Sequence, residues 1–272
     1  MRTTFAACFA QVGQQAPLVH CISNLVSAND CANIVLAAGA SPIMADDPEE
    51  AAEITAQSKG LCLSLGTPSP RKAQAMLRAG RAANARQLPV VFDPVGVGAS
   101  AFRQGIAKEL LEQVHPTVVR CNAAELRALV RQVRMPGGVD AAPDAQPEEL
   151  AALAKTAALQ LGCIVAVTGA DDLITDGRTG FCVHNGTPLL RRVTGAGCML
   201  SVLTAAFAAA NPGRPLEATA AAVCAMGLCG ETAAARLTGA EGTGTLRTYL
   251  IDAVSRLTPE QLEQGANYGS CL

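Results

Sequence analysis

Short apolar runs alternate with segments of helical periodicity from residue 18 to residue 167. A short apolar run bounded by turn residues is typical of a buried strand, and apolar residues three or four apart are typical of a one-sided helix. The apolar runs are 18–22, 42–44, 61–65, 90–92, 117–119 and 163–167, and the helical segments are 29–38, 48–57, 70–86, 101–114 and 123–133. This alternation predicts an α/β fold with a mostly parallel central sheet flanked by helices on both faces.

The pattern changes beyond residue 170. Two short runs, 173–178 and 180–186, contain Asp-Gly and Asn-Gly pairs that are typical of antiparallel hairpins. Helical periodicity follows in 199–210, 215–237, 244–257 and 259–264, whereas the proline- and glycine-rich stretch 135–148 predicts a surface loop. Because no linker-like segment divides the chain, we expect residues 1–272 to form one domain.

The composition limits the kinds of molecule that this protein is expected to bind. Lys and Arg number 21 against 23 Asp and Glu, and only 3% of residues are aromatic, so we expect no nucleic-acid partner. The N-terminal apolar run is too short for a signal peptide, and no segment approaches the roughly 18 apolar residues of a membrane span. Eleven cysteines without a C-x-x-C pair favour reduced core thiols. We therefore expect a cytoplasmic protein with no membrane partner.

The segment 193–200 places Gly195 and Gly197 immediately before a long apolar helix. The first amide groups of a helix lack partners inside it, and the positive end of the helix dipole favours negative charge. This helix start therefore predicts an anion-binding site. The same field favours a thiolate, which makes Cys198 the strongest candidate for a reactive cysteine. The alternative is that Cys198 is a small buried apolar residue, as free cysteines often are.

Polar residues and glycines follow most of the predicted parallel strands, at the edge where ligands bind in open α/β sheets. They lie at 23–24, 66–67, 93–98, 120–125 and 168–169. Glycine-rich loops and acids on the same edge as an anion-binding helix indicate a phosphate ester and a divalent cation that offsets its charge.

Several of these side chains have two plausible roles. Asp93 and Glu125 are the candidate acids for the cation, but Asp93 could be a turn residue and Glu125 a first-turn acid favoured by the helix dipole. Arg120 either binds phosphate oxygens, which we favour, or forms a structural ion pair. Thr168 could donate to a phosphate or cap a turn. We interpret His20 as a structural histidine rather than a general base.

Two nucleotide-binding classes do not match the chain. It contains no G-x-x-x-x-G-K-[ST] motif, which excludes a P-loop protein. The glycines of 93–98 lack the G-x-G-x-x-G spacing of a dinucleotide-binding turn, which disfavours a nicotinamide enzyme.

In their order along the chain, these motifs resemble those of the hydroxyethylthiazole kinases of thiamine biosynthesis, within the ribokinase-like superfamily. The matching segments are VHCISN at 19–24, NDCAN at 29–33, GASPIMA at 39–45, DPVGVGA at 93–99, RCNAAE at 120–125, VTG at 167–169 and TGAGC at 194–198. Two positions depart from the family pattern: Ser23 replaces a commoner threonine, and Cys121 stands where glycine is usual.

The resemblance implies a ribokinase-like fold and phosphorylation of the primary alcohol of 4-methyl-5-(2-hydroxyethyl)thiazole by ATP with Mg²⁺. It further implies a homotrimer with active sites at subunit boundaries. The implied site residues are Arg120, Asn122 and Thr168 for ATP; Asp93 and Glu125 for Mg²⁺; Gly195, Ala196 and Gly197 for the anion hole; Asn24, Val26, Met44 and Gly195 for the thiazole; and Cys198 as the catalytic residue.

Two other functions stay open at this point. A related kinase acting on a pyrimidine or another vitamin alcohol would carry a catalytic aspartate at position 198, as most of the superfamily does. A nucleotide-binding regulator without turnover is the second alternative, and a cysteine in place of that aspartate would favour it.

Overall fold

The computed structural model describes residues 4–131 and 147–271. Its strands are β1 (Leu18–Ile22), β2 (Ser41–Ile43), β3 (Gly60–Ser64), β4 (Val90–Asp93), β5 (Val118–Asn122), β6 (Ile164–Thr168), β7 (Asp172–Thr175), β8 (Gly180–Val183) and β9 (Tyr268–Ser270). They form one sheet in the order β2-β1-β3-β4-β5-β6-β7-β8-β9. Neighbours from β2 to β6 pair in parallel, and β7, β8 and β9 pair antiparallel. The predicted mostly parallel sheet is confirmed.

The described residues contain eleven α-helices and two short 3₁₀-helices, Val97–Ala99 and Pro188–Arg192. The α-helices are α1 (Thr4–Gln15), α2 (Ala28–Ala37), α3 (Ala51–Gln57), α4 (Pro70–Ala85), α5 (Ala101–Gln113), α6 (Ala123–Arg131), α7 (Pro147–Leu161), α8 (Ala196–Ala210), α9 (Pro215–Arg236), α10 (Thr243–Arg256) and α11 (Pro259–Gly265).

Helices cover both faces of the sheet, as expected. Successive side chains of a strand point to opposite faces. Accordingly, Val91 of β4 packs in one apolar cluster with α1, α2 and α8 to α11, whereas Val90 and Phe92 pack in a second cluster with α4 to α7. Because few residues are aromatic, both clusters consist largely of Ala, Val, Leu and Ile.

Two helices that carry much of the first cluster are largely apolar. Every residue of α8 from Cys198 to Ala210 is buried, and α8 contacts β1, β3 and β4. Helix α9 is long and apolar enough to cross a membrane by length and composition, but 72% of its most apolar window is buried inside the protein. It is therefore a core helix here.

Several boundaries differ from the sequence-based prediction. Helix α8 begins at Ala196 rather than Met199, which places Cys198 inside its first turn. Helix α1 and strand β9 were not predicted at all. Most of the predicted loop 135–148 lies outside the described residues, and its last two positions begin α7.

Candidate active site

The N-terminus of α8 lies at the carboxyl edge of the sheet, and its two glycines allow close contacts there. Gly195, the residue before the helix, has a φ of 81°, which side-chain-bearing residues rarely adopt. A Cβ added at Gly195 would lie 2.6 Å from Ser27 Cβ, and one added at Gly197 would lie 2.6 Å from Arg120 Nη1. The helix start is thus packed between the loop after β1 and a guanidinium group.

The amide groups of this turn are not equivalent. The Ala196 N–H donates to Val193 O at 3.2 Å, and the Met199 N–H donates to Gly195 O at 2.8 Å as the first bond of the helix. The amides of Gly197 and Cys198 lie between them and, as first-turn amides, have no acceptor within the helix. The predicted anion hole is therefore best supplied by these two amides, and less by that of Ala196.

Replacement of Gly195 by alanine should destabilise the protein by about 1–3 kcal/mol, because the variant combines a positive φ with the Ser27 contact. Urea unfolding would measure the change. Gly213→Ala is a matched control, since a Cβ there meets nothing within 4 Å. Equal stability of the two variants would contradict the strain assigned to Gly195.

Cys198 contacts the loop that follows β1. Its Sγ accepts a hydrogen bond from Asn24 Nδ2 at 3.1 Å. Asn24 Oδ1 accepts the backbone N–H groups of Val26 at 3.0 Å and Ser27 at 3.1 Å. The buried carboxamide of Asn24 therefore holds the loop in place while it presents a donor to the sulfur atom.

The predicted lowering of the pKa of Cys198 is wrong. Burial, and then the nearby Asp93 carboxylate, raise the pKa of Cys198 above its ordinary value. A side-chain hydrogen bond with Ser27, the Arg120 charge and the bond from Asn24 act in the opposite direction but do not overcome these two effects. The thiol form of Cys198 therefore predominates at neutral pH.

Asp93, the last residue of β4, pairs with Arg120 rather than capping a turn with its side chain. Arg120 Nη1 lies 3.8 Å from Asp93 Oδ1, and Ser201 Oγ of α8 donates to Asp93 Oδ2 at 2.8 Å. Burial raises the pKa of Asp93, although Arg120 and Ser201 oppose the rise. Asp93 Oδ1 is buried and lacks a hydrogen-bond partner among the described residues.

Arg120 also joins β5 to β6. Its Nη2 donates to Thr168 Oγ1 at 2.5 Å, and Thr168 Oγ1 in turn donates to Cys121 O at 3.5 Å. Cys121 lies in a regular strand and pairs with Val167, so the unusual cysteine leaves the local strand intact. The guanidinium group therefore lies between two strand ends and the first turn of α8, where a phosphate would meet several donors at once.

Glu125 and Asn122 form a reciprocal cap at the start of α6. The Glu125 N–H donates to Asn122 Oδ1 at 2.8 Å, and Glu125 Oε2 accepts the Asn122 N–H at 3.0 Å. Glu125 Oε1 accepts the Gly96 N–H at 2.9 Å. Burial, and then the Asp93 charge, raise the pKa of Glu125 to about 7. In this structure Glu125 therefore makes the contacts of a first-turn acid at the start of α6, which is the structural alternative to a metal ligand.

Val26 and Met44 lie at one corner of the same edge, because they follow the neighbouring strands β1 and β2. Val26 is 63% exposed and Met44 is 39% exposed, so both side chains lie at the surface of a single chain. His20 is fully buried: its Nδ1 lies 2.8 Å from Thr55 Oγ1 and its Nε2 lies 2.7 Å from Ala45 O. Those contacts make His20 a structural histidine, as interpreted.

Sequence reasoning missed Ser201 and Lys72. Ser201 follows Cys198 by three residues on α8, so helical spacing from Cys198 could have indicated it. Lys72 lies on α4 and donates from Nζ to Ser23 O at 2.9 Å. No local sequence pattern indicated a role for Lys72, because its contact with Ser23 joins residues 49 apart in sequence.

Comparison with known proteins identifies the family and the fold of this chain. The model of the hydroxyethylthiazole kinase family matches residues 9–260. A hydroxyethylthiazole kinase of Clostridium acetobutylicum is 45% identical over 259 residues, covering 93% of this chain and 95% of that protein. The structure of a Pyrococcus horikoshii hydroxyethylthiazole kinase protein superposes with a TM-score of 0.89 at 34% identity, covering 98% of this chain and 99% of the other.

A more distant structure supports the fold alone. A ribokinase-like superfamily protein from Enterococcus faecalis gives a TM-score of 0.59 at 14% identity, covering 91% of this chain and 89% of the other. The ribokinase-like fold inferred from the sequence is therefore confirmed. With a family model that spans most of its length and close relatives across nearly all of it, this chain belongs to the hydroxyethylthiazole kinase family.

Proposed function

We propose that this protein transfers the γ-phosphoryl group of ATP to the primary alcohol of 4-methyl-5-(2-hydroxyethyl)thiazole. The observation that carries the proposal is the convergence of Arg120, Asp93, Asn24 and Cys198 on the first turn of α8. A cation, an acid, a carboxamide and a thiol then surround the amides of a helix N-terminus. Phosphoryl transfer requires mainly such positioning and charge stabilisation.

The donor half of the site contains the ATP-binding residues. Arg120 would bind phosphate oxygens through its planar fork, and Thr168, now its hydrogen-bond partner, would bind a phosphate beside it. Asn122 caps α6 next to them, so it would position the loop around the nucleotide. The amides of Gly197 and Cys198 would stabilise the transferred group, with Gly195 and Ala196 shaping the turn and the Ala196 amide contributing less.

The acidic residues of the site fit a magnesium ion that would bind mainly to water molecules and to the phosphates of ATP. Among residues 4–131 and 147–271, no group of three or more His, Cys, Asp or Glu side chains could hold a metal. The orphaned Asp93 Oδ1 offers one oxygen for such water, and Glu125 offers the lone pairs that its two backbone contacts leave. Mg²⁺ would offset phosphate charge there, as it commonly does with few protein ligands.

The acceptor half of the site contains Asn24, Val26, Met44 and Gly195. The alcohol oxygen would attack the γ-phosphorus as the bond to the bridging β,γ-oxygen breaks, and the alcohol proton would pass to the Cys198 thiolate. ADP would be the leaving group. We expect this proton acceptor to contribute on the order of 10²-fold to the rate, the lower end of the range typical of a positioned acid–base group.

A homotrimer with active sites at subunit boundaries is supported by the exposed apolar corner around the acceptor half. Leu25 is 83% exposed and Val26 is 63% exposed, which is unusual for loop residues beside a ligand site. Sedimentation equilibrium should give three times the chain mass of 27.8 kDa. A monomer mass at working concentration would contradict a subunit boundary.

We propose that residues 1–272 form one domain. The single sheet, which includes strands from residues 18 to 270, supports this, and one cooperative unfolding transition would test it.

We also propose a cytoplasmic location. Free cysteines at all eleven positions support a reducing compartment. Cell fractionation would test that location.

An acceptor panel tests the activity. ADP release should require the thiazole alcohol, and ³¹P NMR should show its phosphate ester. Hydroxymethylpyrimidine and pyridoxal should give rates near that of ATP alone. Faster release with either of these acceptors would favour another vitamin kinase, and nucleotide binding without any acceptor-dependent release would favour a regulator.

A further inference from the structure

A buried lysine joins the two segments that carry the acceptor half of the site. Lys72 Nζ donates to Ser23 O at 2.9 Å, directly before Asn24. The same ammonium group lies 3.3 Å from Asp46 Oδ2, two residues after Met44. Its side chain is only 8% exposed, whereas that of Asp46 is 52% exposed. The lysine therefore lies beneath two surface segments that are far apart in sequence.

The position of this charge is unfavourable for stability. Lys72 is the third residue of α4, and its N–H donates to the capping Ser69 Oγ at 3.1 Å. A cation in the first turn opposes the helix dipole, which favours acids at that end. Burial of an ammonium group adds a desolvation cost that one half-exposed carboxylate offsets poorly. Local conflicts of this kind are expected at functional sites.

We propose that Lys72 is a positioning residue for the acceptor half of the site. It fixes the spacing between the loop that carries Asn24 and Val26 and the segment that carries Met44. Through Ser23 O it also fixes the start of the Asn24 loop, whose carboxamide donates to Cys198. Among residues 4–131 and 147–271, the side chain of Lys72 pairs with Ser23 O and Asp46, whereas that of Arg120 pairs with Thr168 and Asp93, so the effect of Lys72 should fall mainly on the alcohol. The proposal rests on the proposed function of the site.

The test compares Lys72→Met with Lys108→Met. Methionine keeps an unbranched chain of similar length without the ammonium group, and Lys108 is an exposed lysine that pairs with Glu112 in the same helix. Loss of a charge-assisted hydrogen bond should raise the KM for the thiazole alcohol about tenfold or more. The KM for ATP should change less than about twofold, because the ATP contacts are untouched. Lys108→Met should alter neither constant.

Direct binding gives a readout that does not depend on turnover. Calorimetry should show the same tenfold loss for the thiazole alcohol, with the affinity for a non-hydrolysable ATP analogue unchanged. Asp46→Asn provides a second variant if Lys72→Met does not fold, since it removes the half-exposed carboxylate that pairs with Lys72 and leaves the ammonium group its hydrogen bond to Ser23 O. It should weaken binding of the alcohol in the same direction, by a smaller factor.

The outcomes separate this inference from the proposed function. Wild-type turnover of the thiazole alcohol is measured first, and its absence would overturn the proposed function whatever Lys72 does. With wild-type turnover established, equal changes in both KM values, or unchanged alcohol binding in both variants, would overturn the role of Lys72. A selective loss of alcohol binding would establish it.

Discussion

Replacing Arg120 with lysine is expected to lower kcat/KM for ATP by about 10²-fold or more. The guanidinium group packs against Gly197 and donates to Thr168, so it can offer parallel donors to a phosphate beside the first turn of α8. The ammonium group of lysine preserves the positive charge beside Asp93 but cannot form two parallel hydrogen bonds to one phosphate. The loss of one well-placed donor to developing charge typically costs 10²–10³-fold.

The two substrates should respond differently to this change. The KM for ATP should rise far more than the KM for the thiazole alcohol in initial-rate measurements, because Arg120 lies on the donor half of the site. Arg86→Lys, at the exposed end of α4, is the matched control and should change neither. Equal changes in both constants for Arg120→Lys would contradict a role in binding phosphate.

Replacing Cys198 with alanine is expected to lower kcat by about 10²-fold while ATP affinity is kept. The backbone amides that bind phosphate remain in the variant, whereas the proton acceptor is lost. Cys229→Ala, which removes a buried thiol of α9, should keep its turnover and controls for loss of packing. Full turnover by Cys198→Ala would leave Cys198 as a packing residue without affecting the kinase assignment.

The raised pKa of Cys198 adds a pH signature to the same experiment. A thiol whose pKa lies above its ordinary value of 9.0 gains thiolate as the pH rises toward that pKa. Wild-type kcat should therefore increase between about pH 7 and pH 9, by up to about tenfold per pH unit. Cys198→Ala should lose this dependence. A parallel increase in both proteins would assign the titration to another group.

The fold was largely predictable because it depends on local patterns. Buried parallel strands must be apolar runs, and crossover helices must be one-sided, so both are visible along the sequence. Helix α1 could have been found too, since Phe5, Cys8, Phe9 and Val12 have helical spacing. Strand β9 could not, because three residues that include a glycine carry no periodic signal.

The site was predictable only in its outline. Strand order brings polar residues to one edge, so the sequence could indicate Asp93, Arg120 and Thr168 as neighbours. The pKa of Cys198 could not be foreseen, because it depends on burial and on an aspartate from a different strand. Ser201 and Asp93 are 108 residues apart, and their hydrogen bond arises only from the packing of α8 on β4.

The most direct test of a transfer site at the first turn of α8 is a crystal structure with a non-hydrolysable ATP analogue, Mg²⁺ and the thiazole alcohol. We expect the γ-phosphate within hydrogen-bond distance of the Gly197 and Cys198 amides and of the Arg120 guanidinium group. The alcohol oxygen should lie between that phosphate and Cys198 Sγ. A γ-phosphate bound away from this helix turn, or an alcohol pointing away from Cys198, would contradict the account.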